Sequence, residues 1–222
     1  MQTASLTLRA AKREDSDRLL AFYKGNPDRF LLPRPSGEFK TAIERGQFFV
    51  IVNDAEEIVA ASGVFDYEAD QPFVELAETS VSKSIRGFGL QSIFFKVRIA
   101  SVIVYQGPSV GITTAVDGRN KVSLQSAVLQ GFEPWTRPLP AAYSNCQMCP
   151  SKNSQRACCC DFYLLPISKA RDAVSNLLDE TGSGVFMPKN KNGDTIKLRC
   201  ECAILTGDLR KALGSFVAGE TW

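Results

Sequence analysis

The sequence predicts an α/β (α+β) fold, a mixed sheet flanked by helices, and three observations carry that reading. Residues 47–52 and 58–65 are apolar, β-rich runs around the polar Asn53-Asp54-Ala55-Glu56, the pattern of an antiparallel hairpin. The next run, from Phe73 to Val81, passes through Gly87 and Gly89 into apolar residues at helical spacing: Leu90, Ile93, Phe94, Val97 and Val104. A further strand follows at residues 112–116, and strand, crossover helix and strand in succession make that pair parallel.

The other elements follow in order. Residues 6–9 alternate as a first strand, and residues 15–23, with Leu19, Leu20, Phe22 and Tyr23 apolar, form an amphipathic helix. Pro27, Pro33 and Pro35 then interrupt regular structure before a short helix at residues 38–45, stopped by Gly46. Gln106-Gly107-Pro108 ends the long apolar helix, and residues 122–129 form another. Periodicity is lost over residues 133–157, where Pro134, Pro138, Pro140 and Pro150 stand among polar residues; a loop of that length is usually functional or independently ordered. Residues 160–166 return as a strand. A helix at 168–179, a hairpin at 184–205 turning at residues 190–194, and a helix at 208–217 complete the chain. The expected organisation is a domain over residues 1–166, including a cysteine-bearing loop at 133–158, with an α+β element at 167–222 packed on it.

Composition narrows the function. The chain has 222 residues, 44% of them hydrophobic, enough for a sizeable core in one domain with or without an appendage. Lys and Arg number 26 against 24 Asp and Glu, a net charge of +2 that gives no reason to expect nucleic acid or a membrane surface as partner. No apolar run approaches the ~20 residues of a membrane span. Residues 1–5 lack the charged and apolar regions of a secretory signal, so a cytoplasmic location is expected, with the seven cysteines as thiols or metal ligands. Histidine is absent. Proton transfer therefore falls to carboxylates, tyrosine, cysteine, lysine or water. A homodimer is compatible with all of this.

The stretch from Val81 to Gln91 carries the most chemistry. A strand that turns through glycines into a helix leaves backbone N–H groups unpaired where the helix dipole favours an anion, which makes a phosphate cradle. It lacks the Gly-Lys-Ser/Thr of a Walker loop and the third glycine of a dinucleotide fingerprint. Arg86-x-x-Gly89, with Val81 five residues earlier, instead resembles the acyl-CoA pyrophosphate loop of the GCN5-related N-acetyltransferases (GNAT). A second block is similar too: the strand at 112–116, Asn120, the helix after it, and Gly131-Phe132. The resemblance covers roughly residues 5–140, with residues 158–166 as a last core strand.

That resemblance implies a mixed, mostly antiparallel twisted sheet and an acyl-CoA-dependent N-acyltransferase. The cosubstrate it implies is acetyl-CoA, with direct attack by a primary amine on the thioester. The alternative is a catalytically silent acyl-CoA-binding or protein-interaction module on the same scaffold. By the same resemblance, the N–H groups of Gly87, Phe88, Gly89, Leu90 and Gln91 face the pyrophosphate, Arg86 adds charge and Ser92 one hydrogen bond. The backbone at Val81 pairs with the pantetheine and polarises the thioester carbonyl. Asn120 contacts the pantetheine arm, and read from sequence alone it also serves as a helix cap. Glu75 is the candidate catalytic base, with Glu78 the second candidate. Two departures stand out: Gln91 occupies a position where the family has Gly or Ala, and Ala127 one where many relatives have a proton-donating tyrosine. Tyr143, Tyr163 or solvent are the substitutes, and a thiolate leaves readily near neutral pH.

Cysteines form a separate group. Cys146-x-x-Cys149 and Cys158-Cys159-Cys160 offer enough thiolates for a tetrahedral zinc, with Cys146, Cys149, Cys158 and Cys160 the candidate ligands. Alternation argues otherwise, since Cys158, Cys160, Phe162 and Leu164 share one strand face, as do Ile196, Leu198, Cys200 and Cys202. Cysteines in such rows are usually small core residues.

Overall fold

Strand β2 (Phe48–Asn53) is apolar without alternation, the pattern of a strand covered on both faces, and the computed structural model shows both covers. Phe49 and Ile51 pack into one core with helix α3 (Leu90–Gln106). Phe48, Val50 and Val52 pack into a second with Leu19 and Phe22 of α1 (Ser16–Gly25) and Ala42 and Ile43 of α2 (Ser36–Glu44). The structure describes residues 5–31, 34–67, 73–136, 160–180, 184–202, 207–214 and 216.

The remaining strands are β1 (Ser5–Ala10), β3 (Ile58–Tyr67), β4 (Phe73–Val81), β5 (Gly111–Asp117), β6 (Glu133–Pro134), β7 (Cys160–Leu165), β8 (Val185–Phe186) and β9 (Lys197–Cys200). Among the described residues they form one nine-stranded sheet in the order β6-β7-β5-β4-β3-β2-β1-β9-β8. Pairing is antiparallel except at β4 with β5 and β1 with β9. The expected mixed, mostly antiparallel sheet is therefore present. The expected hairpin is β2–β3, and the expected parallel pair, separated by its crossover helix, is β4 and β5.

Helix α3 is buried nearly all round because it lies between the sheet and two later helices. Its outer side meets Ala170, Ala173, Val174 and Leu177 of α5 (Ile167–Glu180) and Leu209 and Ala212 of α6 (Gly207–Gly214). Each large apolar side chain so buried stabilises the fold by ~1.5–3 kcal/mol, so the C-terminal elements are part of the core rather than an ornament on it. The β8–β9 hairpin, turning at Asn190 to Asp194, lays β9 beside β1, and Ile196, Leu198, Cys200 and Cys202 are buried there, in the row expected from alternation.

Helix α4 (Lys121–Leu129) ends at Gly131, whose φ of +89° turns the chain so that Phe132 lies against Phe95 of α3, ring centroids 5.4 Å apart. Strand β6 falls in the stretch read as patternless: two residues carry no periodicity, and only their pairing with β7 reveals them.

Candidate active site

The site begins where β4 and β5 part. Their last Cα pairing is Glu75 with Thr113, yet β4 runs on to Val81 and β5 to Asp117. Between Ala61↔Ser80 and Gly63↔Ala77, β3 advances two residues while β4 advances three, so β4 carries one extra residue. That bulge bends and twists the strand away from β5. At its centre Glu78 has φ +58°, a left-handed conformation that few side-chain-bearing residues adopt. At the fork, the Thr114 hydroxyl donates to the Leu76 carbonyl at 2.9 Å.

The parted strand offers backbone to the gap. Ser82 N–H donates to the Val59 carbonyl at 2.8 Å, which makes Ser82 and Ser80 the positions bonded to β3. Val81 between them turns its own N–H and C=O the opposite way. Arg86 Nε takes that carbonyl at 2.9 Å. The Val81 N–H remains directed into the gap.

Beyond Val81 a short 3-10 turn (Lys83–Ile85) leads to Gly87 and Gly89, with φ of +88° and +70°. Gly89 is the N-cap of α3, and having no side chain it caps none of the helix amides. Among the described residues the N–H groups of Gly87, Phe88, Gly89, Leu90 and Gln91 have no protein acceptor, and a Cβ on either glycine would meet nothing within 4 Å. The surroundings are thus open, exposed and rich in amides, which suits a phosphate oxygen. Gln91 does not crowd this opening. Its Nε2 donates to Ser123 Oγ at 3.3 Å and its Oε1 accepts from Ser126 Oγ at 3.3 Å, which holds the side chain on α4. Ser92 is engaged as well, accepting from Gln130 Nε2 at 2.7 Å.

On the α1/α2 side of the sheet lies a buried charged cluster. Glu75 and Glu78 are both buried, and Arg34, just before α2, joins them: Nη2 to Glu75 Oε2 at 2.5 Å and Nε to Glu78 Oε1 at 3.1 Å. Arg34 Nη1 also reaches Glu38 Oε2 at 2.9 Å, and its guanidinium lies 4.1 Å from the centre of the Phe65 ring. Burial pushes the Glu78 carboxyl up to about 7, against the pull of Arg34 and with a further push from Glu75. A carboxyl at that value both takes and gives protons near neutral pH.

Asn120 caps α4, its side-chain oxygen accepting from Ser123 N–H at 3.2 Å. Ala127 is fully buried under α4, with no hydroxyl at that position. Cys146, Cys149, Cys158 and Tyr143 lie outside the described residues. Cys160 is half-buried at the start of β7, opposite Asp117. Among the described residues no group of three or more Cys, Asp or Glu stands together as a metal site. No described helix is long and apolar enough to cross a membrane.

Sequence reasoning overlooked Arg34 and Arg98. In the sequence Arg34 is a lone charge between two prolines, and as the residue before Pro35 it is disfavoured from helix. Arg98 lies four residues after Phe94 and three before Ser101, on the buried stripe of α3, and a charge on such a stripe is itself a signal.

No protein-family profile and no curated protein matches this sequence. Solved structures do resemble it. An acetyltransferase of the GNAT family from Staphylococcus aureus Mu50 aligns with a TM-score of 0.54 at 16% identity, over 72% of this chain and 98% of that one. Arabidopsis thaliana Naa50, solved with the bisubstrate analogue CoA-Ac-MVNAL, aligns at 0.52 and 14% identity, over 72% and 95% of the two chains. The ribosomal-protein-S18-alanine N-acetyltransferase of Escherichia coli aligns at 0.52 and 14%, over 73% and 94%. The chain thus has the fold of the GCN5-related N-acetyltransferases.

Proposed function

We propose that the protein is an acyl-CoA-dependent N-acyltransferase that moves an acetyl group from acetyl-CoA to a primary amine. The observation that carries this reading is the adjacency of two features in one gap: the Val81 N–H between the parted strands, and the uncapped amides of Gly87 to Gln91 at the entrance to α3. A diphosphate suits the second, and an extended amide-bearing arm ending in a thioester suits the first. The solved neighbours add support, one of them having been captured with a CoA bisubstrate analogue.

In this reading the backbone amides of Gly87, Phe88, Gly89, Leu90 and Gln91 bind the pyrophosphate and Arg86 contributes charge. Ser92 acts from behind, accepting from Gln130 at the end of α4, and Asn120 caps the start of α4. The Val81 N–H polarises the thioester carbonyl. Glu78, with Glu75 beside it, takes a proton from the acceptor ammonium. The freed amine forms a bond to the carbonyl carbon, the carbon–sulfur bond breaks, the nitrogen gives its surplus proton to solvent as it becomes an amide, and the thiolate takes a proton from solvent, since Ala127 supplies none. The sequence favoured Glu75 as base; the raised Glu78 carboxyl supports giving that role to Glu78, with Glu75 as its neighbour in the cluster.

The test is calorimetry with coenzyme A, followed by thiol release from acetyl-CoA in the presence of spermidine, a lysine peptide and a free α-amino peptide. Binding with turnover on at least one amine is expected, and Gly89→Trp is expected to abolish the heat of binding. Binding without turnover on any amine would identify a silent acyl-CoA module, the reading that the buried Ala127 favours. No heat with coenzyme A would remove both.

A further inference from the structure

Arg98 is the largest fully buried side chain in the described structure. Among the described residues no carboxylate pairs with it directly, although the charge of Glu75 acts on it from a distance. Nε donates to the Phe94 carbonyl, and Nη1 to the carbonyls of Gly63 and Ala77, each at 3.2 Å. Its charge lies 4.8 Å from the Phe95 ring centre, and Nη2 has no partner. Burying a guanidinium without a counter-ion is costly, and a leucine would fill this apolar stripe more cheaply. Stability alone does not account for the residue.

What Arg98 holds is the bulge. The Ala77 carbonyl, which belongs to the peptide entering Glu78, accepts from Arg98 and also from Ser62 Oγ at 3.3 Å. Ser62 Oγ in turn lies 2.7 Å from Thr79 Oγ1. The Glu78 carbonyl, in the peptide leaving that residue, accepts from the Tyr23 hydroxyl at 2.6 Å. Arg98 comes from α3 and Tyr23 from α1, helices whose cores lie on opposite faces of the sheet. Two peptide planes fixed in this way leave no freedom about the bonds between them, so φ of Glu78 is held at +58°.

We infer that Arg98 and Tyr23 are positioning residues that clamp the β4 bulge from its two faces and thereby hold the Glu78 carboxylate in place beside Arg34 and Glu75. The inference rests on the reading of Glu78 as the base. Neither residue touches substrate; each acts through the backbone of residue 78.

A double-mutant cycle with a second, activity-independent readout tests this. Arg98→Met and Tyr23→Phe are each made alone and with Glu78→Gln, and turnover with acetyl-CoA is measured alongside coenzyme A affinity. Each single variant is expected to lose at least about tenfold in kcat with affinity for coenzyme A unchanged, and to lose less than about twofold further once Glu78 is already Gln. Losses that multiply with that of Glu78→Gln would overturn the inference. In parallel, carbon-13 titration of the Glu78 carboxyl is expected to show its midpoint falling from about 7 toward ordinary carboxylate values when either clamp is removed. An unmoved midpoint in folded Tyr23→Phe would sink the clamp even if Arg98→Met does not fold. Should the wild type acetylate no amine, the enzymatic reading falls, and the titration alone still decides the positioning role.

Discussion

Arg34 Nε stands 3.1 Å from Glu78 Oε1, yet Glu78 holds its proton up to about pH 7. Burial of the carboxyl, reinforced by Glu75, outweighs the guanidinium beside it. If Glu78 is the base, kcat/KM rises with pH through a midpoint near 7, where the carboxyl deprotonates. Glu78→Gln is expected to lower turnover at pH 8 about 10²-fold and to remove that rise while sparing coenzyme A affinity. A fully active Glu78→Gln would return the role to Glu75 or to solvent.

The same group makes stability depend on pH. Its folded value of about 7 lies above the ordinary 4.5, so between those values the folded state binds more protons than the unfolded one. Stability is then fully present at the acid end and declines as pH rises through 7. Urea unfolding at pH 5 and pH 8 is expected to show Glu78→Gln gaining on the wild type at pH 8, by on the order of 1–3 kcal/mol, with little gain at pH 5.

Replacing Arg34 by Met has the opposite consequence. Glu75 and Glu78 would keep their burial and their mutual repulsion but lose the shared cation. A loss of ~3–5 kcal/mol is expected at pH 8, as for any buried charge stripped of its partner. The deficit should shrink toward pH 5 as Glu78 takes up its proton, and chemical denaturation at the two pH values measures the difference.

Asp15 supplies an acid-side counterpart. Burial alone would raise its carboxyl, but Arg9 Nη1 at 2.6 Å, the Lys12 N–H at 2.8 Å and Arg18 hold it at about 2. The depressed value contributes stability that is present above pH ~4 and lost as pH falls through about 2. Asp15→Asn should therefore cost on the order of 1–3 kcal/mol at pH 7 and almost nothing near pH 2, as read from thermal melts at both.

Gly63 allows the aromatic floor of the charged cluster to lie close to β3. A Cβ there would stand 2.7 Å from both Phe48 Cδ2 and Phe65 Cε2. Gly63→Ala is expected to cost ~1–3 kcal/mol by overpacking and to push Phe65 away from Arg34. A crystal structure of the variant with Phe65 unmoved would contradict this account.

The glycine loop, the hairpin and the parallel crossover were legible because each depends on local chemistry: positive-φ residues, alternation and helical spacing within a few positions. Asn120 read correctly as a cap for the same reason. The parting of β4 and β5 is not legible in local spacing, because a bulge is a difference in register between two strands and Glu78 looks ordinary within its own. Arg34 and Glu75 stand 41 residues apart in sequence, and no spacing rule joins them. Gln91 stood out by identity, but the hydroxyls of Ser123 and Ser126 on a later helix hold its side chain away from the loop, which local sequence could not show.

Ser5 lies opposite Lys197 in the parallel pair of β1 and β9. On the ribosome, β1 therefore waits for one of its two neighbours until some 192 further residues have been made, about 10–40 s at roughly 5–20 residues per second. Throughout that interval β1 presents a bare row of amides and carbonyls to other nascent chains, and chaperone dependence during synthesis is the natural result.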